Sequence, residues 1–178
     1  MVDSLLRPWK STDAPFLRAA FVENPDLGPQ FGGADLSDVD AAARFISQVL
    51  QPSDTRRNWA IVSDGVVVGN VGLSAIERRH ATGWLSYWLS GDARGRGLAT
   101  RAVDAVAEWA FTDGLFRLEL GHRVNNPASC AVATRCGFLV EGVERQKLVY
   151  GEERFDVELH ARLATDPGPS GDRLAMPV

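Results

Sequence analysis

Seven consecutive residues, Arg94-Gly95-Arg96-Gly97-Leu98-Ala99-Thr100, combine two glycines and two arginines at a point where a strand-like pattern gives way to a helix-like one. Such a turn exposes several backbone N–H groups at the positive end of a helix, which is what a phosphate or pyrophosphate requires. It is not a Walker loop, which closes on Lys and Ser or Thr after a longer glycine-rich turn, and its small residues are not spaced as in a dinucleotide fingerprint. Without its context the stretch reads as an arginine-rich turn whose glycines serve backbone geometry.

Other reactive side chains are sparse. Cys130 and Cys136 stand six positions apart in a predicted helix, on roughly opposite sides of it, which suits neither a disulfide nor a shared site. No nearby feature supplies a base for a cysteine nucleophile. His80, His122 and His160 are scattered and form no metal-ligand spacing with the cysteines, so no metal site is expected. His122 could assist a proton relay, but a polar strand-end residue is the simpler reading.

A chain of 178 residues is long enough for one well-buried core and short for two. Its 45% hydrophobic and 24% charged residues are ordinary for a globular protein, and a net charge of -4 argues against general nucleic-acid binding while allowing a local basic mouth. The start, Met1-Val2-Asp3-Ser4-Leu5-Leu6-Arg7-Pro8, has no apolar region of signal-peptide length, and no run is long enough to span a bilayer. With unpaired cysteines, the expectation is a soluble cytoplasmic protein that contacts neither membrane nor nucleic acid directly.

These groups need elements to position them. A short strand is expected at residues 4–9 and a helix at 12–22, with Thr12 as cap and Pro15 in its first turn. Residues 23–33, rich in Pro and Gly, read as a loop near a substrate opening. A second helix follows, capped by Asp35 or Ser37, with Val39, Ala42, Ala43, Ile46, Val49 and Leu50 as its apolar stripe. Residues 58–63 and 66–76 read as a hairpin turning at Asp64-Gly65, and 83–89 as the next strand. The glycine-arginine turn then opens a helix from Leu98 that stops at Asp113-Gly114. Residues 116–122 form a strand, Asn126-Pro127 opens another helix ended by Gly137, and 140–149 with 155–164 form two antiparallel strands. The expected fold is α/β, a central mixed, mostly antiparallel twisted sheet of six or seven strands with helices on both faces. One domain covers 1–164, followed by a flexible tail over 165–178.

With these elements in place, the chain resembles the GNAT family of acyl-CoA-dependent N-acetyltransferases over about its first 160 residues, and within it the RimJ/RimL branch that acetylates N-terminal amines of ribosomal proteins. Arg94, Gly95, Gly97 and Ala99 match the family's pyrophosphate-binding pattern, and Asn126, Ser129, Gly137 and Phe138 match its second signature. Ser74-Ala75-Ile76-Glu77 through Tyr87-Trp88-Leu89 is similar to the segment that precedes the cofactor turn in that branch.

The resemblance implies acetyl-CoA, or another acyl-CoA, as co-substrate, with no metal. It implies that the diphosphate is held by amides around Arg94, Gly95, Arg96, Gly97, Leu98, Ala99 and Thr100. The pantetheine arm would enter at the splayed strand end near Trp88, Leu89 and Ser90, with Asn126 and Ser129 beside it. Glu77 is the matching carboxylate for a general base, acting directly or through water; otherwise it is a solvated strand-end charge. Ser129 is implied as proton donor to the CoA sulfur, because Ala133 stands where many members place a tyrosine; a first-turn serine also satisfies backbone groups. Asn126 is expected as a cap, with Asn125 as the alternative.

Trp84 and Tyr87 could line the acceptor cleft, although strand aromatics more often build core, and alternation points Tyr87 away from Trp88. The implied function is acetyl transfer to a primary amine, with a protein N-terminal α-amine as leading acceptor. A small-molecule or aminoacyl amine is the alternative acceptor class, and a non-catalytic acyl-CoA sensor is the alternative class of protein. A homodimer is compatible with the family.

Overall fold

Alternating apolar residues from position 57 onward build a three-stranded meander, β2 (Arg57–Ser63), β3 (Val66–Glu77) and β4 (Thr82–Leu89), onto which β1 (Ser4–Arg7) adds antiparallel to β2. The β2–β3 hairpin turns at Asp64 and Gly65, both with positive φ (51° and 79°), the backbone that a two-residue turn between right-twisted strands needs. The computed structural model describes residues 4–176. Helix α3 (Leu98–Thr112) then returns the chain so that β5 (Arg117–Arg123) lies parallel to β4. Helix α4 (Pro127–Arg135) leads to β6 (Leu139–Tyr150), which pairs with β7 (Glu153–Leu163). The seven strands run in the order β1-β2-β3-β4-β5-β7-β6, antiparallel except at β4–β5.

Each face of this sheet carries its own core. On one face Leu73, Leu85, Leu118 and Leu120 pack against Ala102, Val103, Val106 and Ala110 of α3 and Ala133 of α4. On the other, Trp88 joins Trp9, Leu17, Phe31, Leu36 and Ile46 beneath α1 (Ala14–Glu23) and α2 (Val39–Phe45). This is the expected mixed sheet with helices on both faces. No helix among the described residues is long and apolar enough to cross a membrane.

Tertiary contacts change several local expectations. The supposed loop at 23–33 contains a 3-10 helix, Pro25–Phe31, because Leu27 and Phe31 are drawn into the second core. Thr12 does not cap α1; it lies inside a 3-10 turn, Ser11–Asp13, and the cap position falls to Asp13. The Asp13 carboxylate is occupied by Arg7 (2.7 and 2.8 Å) and the Lys10 N–H (2.8 Å). Asp38, rather than Asp35 or Ser37, caps α2 by accepting from the Asp40 and Ala41 N–H groups, and a π-helical turn, Ile46–Leu50, extends it.

The tail is also more than a flexible extension. Leu174 is buried, the Leu6 N–H donates to the Ala175 carbonyl (2.8 Å), and Arg173 Nε donates to Asp104 on α3 (2.7 Å). Pro177 and Val178 of the expected tail, like Met1, Val2 and Asp3 of the N-terminal reading, lie outside the described residues. Because Leu174 fills core space, Leu174→Ala should lower the unfolding free energy by about 2 kcal/mol in urea denaturation. An unchanged midpoint and slope would show that the tail contributes nothing to the core.

Candidate active site

Strands β4 and β5 are in register only at Thr82–Arg117, Gly83–Leu118 and Trp84–Glu119. Past Trp84, β4 stays paired with β3 as far as Leu89, and β5 stays paired with β7 as far as Arg123, so each remains a strand while losing the other. The result is a V-shaped opening whose facing backbone edges lack sheet partners. Polar backbone at such an edge must bond to water or to an extended ligand.

The glycine-arginine turn lies at the β4 end of the opening. Ser90 anchors the strand end, its N–H and hydroxyl both donating to the Val68 carbonyl (3.0 and 3.2 Å). Gly95 and Gly97 both adopt φ of 74°, in the left-handed region that disfavours a Cβ, and a Cβ at either would meet nothing within 4 Å. The turn is therefore left-handed for conformation and open for approach. Gly97 stands at the N-cap of α3 with no side-chain cap. Arg101 is the first residue whose N–H bonds within the helix, to the Gly97 carbonyl, which leaves the Leu98, Ala99 and Thr100 amides for an anion.

Both arginine side chains are engaged elsewhere. Arg94 donates to the Leu89 carbonyl (3.1 Å) and pairs with Asp26 (2.8 Å), while Arg96 reaches Ser63 (3.4 Å) and Asp64 (3.9 Å).

Helix α4 begins across the opening. The Asn126 side chain accepts from the Ser129 N–H (3.1 Å), and Pro127 occupies the first helical position, so Asn126 is the cap and Asn125 is not. The Ser129 hydroxyl lies beside Tyr87, whose phenol is pushed up to about 12 by burial, with the serine partly opposing the shift. The Tyr87 hydroxyl is otherwise buried without a partner.

Tyr87 faces α3, while Trp88 faces the opposite core, stacked on Phe16 (centroids 6.3 Å apart). Of the expected cofactor residues, Trp88 and Leu89 are therefore core side chains, and only their backbone borders the opening. The Trp84 ring covers Gly121, where a Cβ would come within 3.1 Å of it. On the α1/α2 face of β4, Asn58, Asn70, Ser74 and Ser86 line a polar cavity of about 120 Å³ with Phe31 and Trp88.

Glu77 is not in this constellation. It pairs with Thr82 at the opposite end of β4 from the opening, five residues before Tyr87, or roughly 17 Å along an extended strand. Its exposed carboxylate accepts from the Arg79 and His80 N–H groups (both 2.7 Å), which hold it below the usual carboxylate range. The carboxylate expected as the base thus caps the β3–β4 turn and lies apart from Tyr87 and Ser129.

Cys136 is inert: its thiol donates to the Thr100 carbonyl (3.3 Å) and is pushed up to about 12 by burial, with Asp104 adding to the shift. The expectation that the histidines and cysteines stay apart fails, however. His122, Cys130, Glu158 and His160 converge beneath α4, every ligand atom within 4.8 Å of the others. Spacings of 28 to 38 residues between the pair His122 and Cys130 and the pair Glu158 and His160 hide this grouping, which appears once β5 and β7 pair in antiparallel register.

Known proteins share this architecture. Residues 4–139 match the model of the acetyltransferase (GNAT) domain. The ribosomal-protein-serine acetyltransferase of Escherichia coli K12 is 32% identical over 106 residues, 59% of each chain, and the probable N-acetyltransferase YjcK of Bacillus subtilis is 30% identical over 152 residues, 80% of this chain and 84% of its own. Among solved structures, Mycobacterium smegmatis RimJ in complex with a CoA disulfide superposes with a TM-score of 0.82 at 25% identity, over 92% of this chain and 84% of that one. MccE, a microcin self-immunity acetyltransferase in complex with acetyl-CoA and AMP, gives 0.81 at 21%, over 90% and 92%. The chain belongs to the GNAT acetyltransferase family, and its chemistry is acyl-CoA-dependent acetyl transfer to an amine.

Proposed function

We propose that the acceptor is a protein N-terminal α-amine and that Ser129 protonates the departing CoA thiolate. The observation that carries the acceptor reading is the engagement of Glu77 in a distant turn, which leaves the expected general base away from the opening. An α-amine has a pKa near 8, so about a tenth of it is neutral at pH 7, whereas a lysine-like amine near 10.4 is neutral to only roughly 0.04%. The acceptor least dependent on a base is the α-amine. The E. coli relative, whose name specifies a ribosomal-protein serine, supports the same class.

In this reading the first-turn amides of α3 hold the diphosphate and the opening between β4 and β5 receives the pantetheine arm. The amine lone pair attacks the thioester carbonyl carbon, whose oxygen takes up negative charge. As that adduct collapses the C–S bond breaks, and sulfur takes the Ser129 hydroxyl proton. The serine is reprotonated through solvent by the proton that nitrogen gives up, so the products are an amide and a free thiol.

Three measurements check these roles. Gly97→Val should raise the acetyl-CoA dissociation constant roughly tenfold, since forcing a side chain into the left-handed region costs about 1–2 kcal/mol, while Arg96→Ala should change it much less. Ser129→Ala should lower kcat by roughly a hundredfold, with the KM for acetyl-CoA little altered; an unchanged kcat removes Ser129 from the reaction. Glu77→Gln should leave the acidic limb of the kcat/KM profile in place, and loss of that limb would return the base role to Glu77.

The substrate test is free-thiol release with mass spectrometry across N-terminal peptides and small amines. Modification at a peptide α-amine is the expected result. Turnover of small amines alone would move the acceptor class, and tight CoA binding with no turnover would favour a sensor.

A further inference from the structure

The His122, Cys130, Glu158 and His160 cluster brings four metal-ligating atoms together, none of them needed by the acetyl-transfer chemistry above. His122 and His160 have almost fully buried side chains (5% and 0% exposed), and Glu158 is 26% exposed. Their Nε2 atoms point at each other, 2.9 Å apart. Glu158 Oε1 lies 3.0 Å from His160 Nε2, 3.4 Å from His122 Nε2 and 3.7 Å from the Cys130 sulfur.

Proton placement sharpens the picture. His122 Nδ1 lies 2.9 Å from the Arg123 carbonyl, which can only accept, so this nitrogen carries the hydrogen and Nε2 of the neutral ring presents a lone pair to the cluster. That is also the outer-shell arrangement that orients histidines bound to metals. His160 Nε2, the Glu158 carboxylate oxygen and the Cys130 sulfur meet the same point, and either a proton carried on His160 Nε2 or a metal ion in its place satisfies the acceptors together. His160 Nδ1 has no hydrogen-bond partner, so its hydrogen can move from Nε2 to Nδ1 without breaking a bond there.

The separations fit a metal polyhedron. Ligands at the usual zinc distances, roughly 2.0–2.1 Å for N or O and 2.3 Å for S, stand roughly 3.3 Å apart for N or O pairs and 3.6 Å for an S and O pair in a tetrahedron. Four of the six separations, 2.9 to 3.7 Å, bracket both values, and the other two, from the Cys130 sulfur to the histidine nitrogens, lie within 4.8 Å. Electrostatics agree, because one thiolate and one carboxylate neutralise a divalent ion at a largely buried point.

We propose that His122 Nε2, His160 Nε2, Glu158 Oε1 and Cys130 Sγ form a four-coordinate site for a divalent ion of the zinc class. Binding forms four metal–ligand bonds, releases the Cys130 thiol proton to solvent and shifts the His160 hydrogen to Nδ1. Imidazole and thiolate ligands at tetrahedral spacing select zinc or cobalt over magnesium or calcium, which prefer all-oxygen shells. The site adjoins Ser129 in sequence, but the proposal rests on the four side chains and not on acetyl transfer or its acceptor.

The experiment is a titration of the reduced, full-length chain with Co2+ alone, followed by Zn2+. The expected result is one equivalent of Co2+ giving tetrahedral visible absorption and a thiolate charge-transfer band, both displaced by Zn2+. Cys130→Ser should abolish the charge-transfer band, while Cys136→Ser should leave it. The His122→Gln/His160→Gln double variant should weaken Co2+ binding at least tenfold. A second measurement, independent of whether that variant folds, uses the unaltered protein: one equivalent of Zn2+ should protect Cys130 from alkylation. Absence of a thiolate band together with an unchanged Cys130 alkylation rate overturns the proposal and leaves a proton-shared His–His–Glu network.

Discussion

The parting of two parallel strands is the constraint around which the molecule is organised. A parallel pair normally continues for as long as both strands do, yet β4 and β5 share only three register positions before they diverge. Neither strand frays, because β3 holds β4 and β7 holds β5 on their outer edges. The free inner edges are the consequence. A buried backbone group left unsatisfied is unfavourable by about 1–3 kcal/mol, so this opening is stable only when filled by water or by a ligand with its own donors and acceptors. The left-handed glycine turn at one side and the capped start of α4 at the other flank the same divergence.

Ion pairing beneath α3 keeps that geometry in place. Arg162, fully buried on β7, donates to Asp104 (3.0 Å) and Glu108 (2.7 Å) of α3, and Arg173 of the tail reaches the same Asp104. Buried pairs of this kind contribute modestly to net stability, but removing one partner is unfavourable by about 3–5 kcal/mol because the other charge is left buried. The network fixes α3 against β7 and clasps the tail, so the helix that follows the glycine turn is tied to the strand that carries Glu158 and His160.

The relatives divide what the fold shares from what each enzyme adds. Proteins named for a ribosomal serine, for microcin self-immunity and for spermidine carry this architecture. What the solved structures among them hold in common with this chain is the fold. On the α1/α2 face, the 3-10 helix Pro25–Phe31 and polar residues of β3 and β4 border a small cavity.

The sequence by itself determined the elements whose signals are local. Asp64-Gly65 forces a hairpin, Gly95 and Gly97 supply left-handed turn conformations, Asn126-Pro127 starts a helix, and the periodicity of Leu98 to Ala110 builds the crossover. The glycine turn before α3 and the capped first turn of α4 that carries Ser129 were legible for that reason. Only the tertiary structure decided the rest. Glu77 looked reactive because its type suited a base, but strand direction put it at the closed end of β4, where turn amides occupy it. Trp88 matched a cofactor strand, yet alternation sent its side chain into the opposite core. Leu174 looked like solvent-exposed tail until it filled a gap beside β1 and α3. His122 and His160, 38 residues apart, meet at 2.9 Å because β5 and β7 pair antiparallel, and such contacts follow from strand register, which no local pattern encodes.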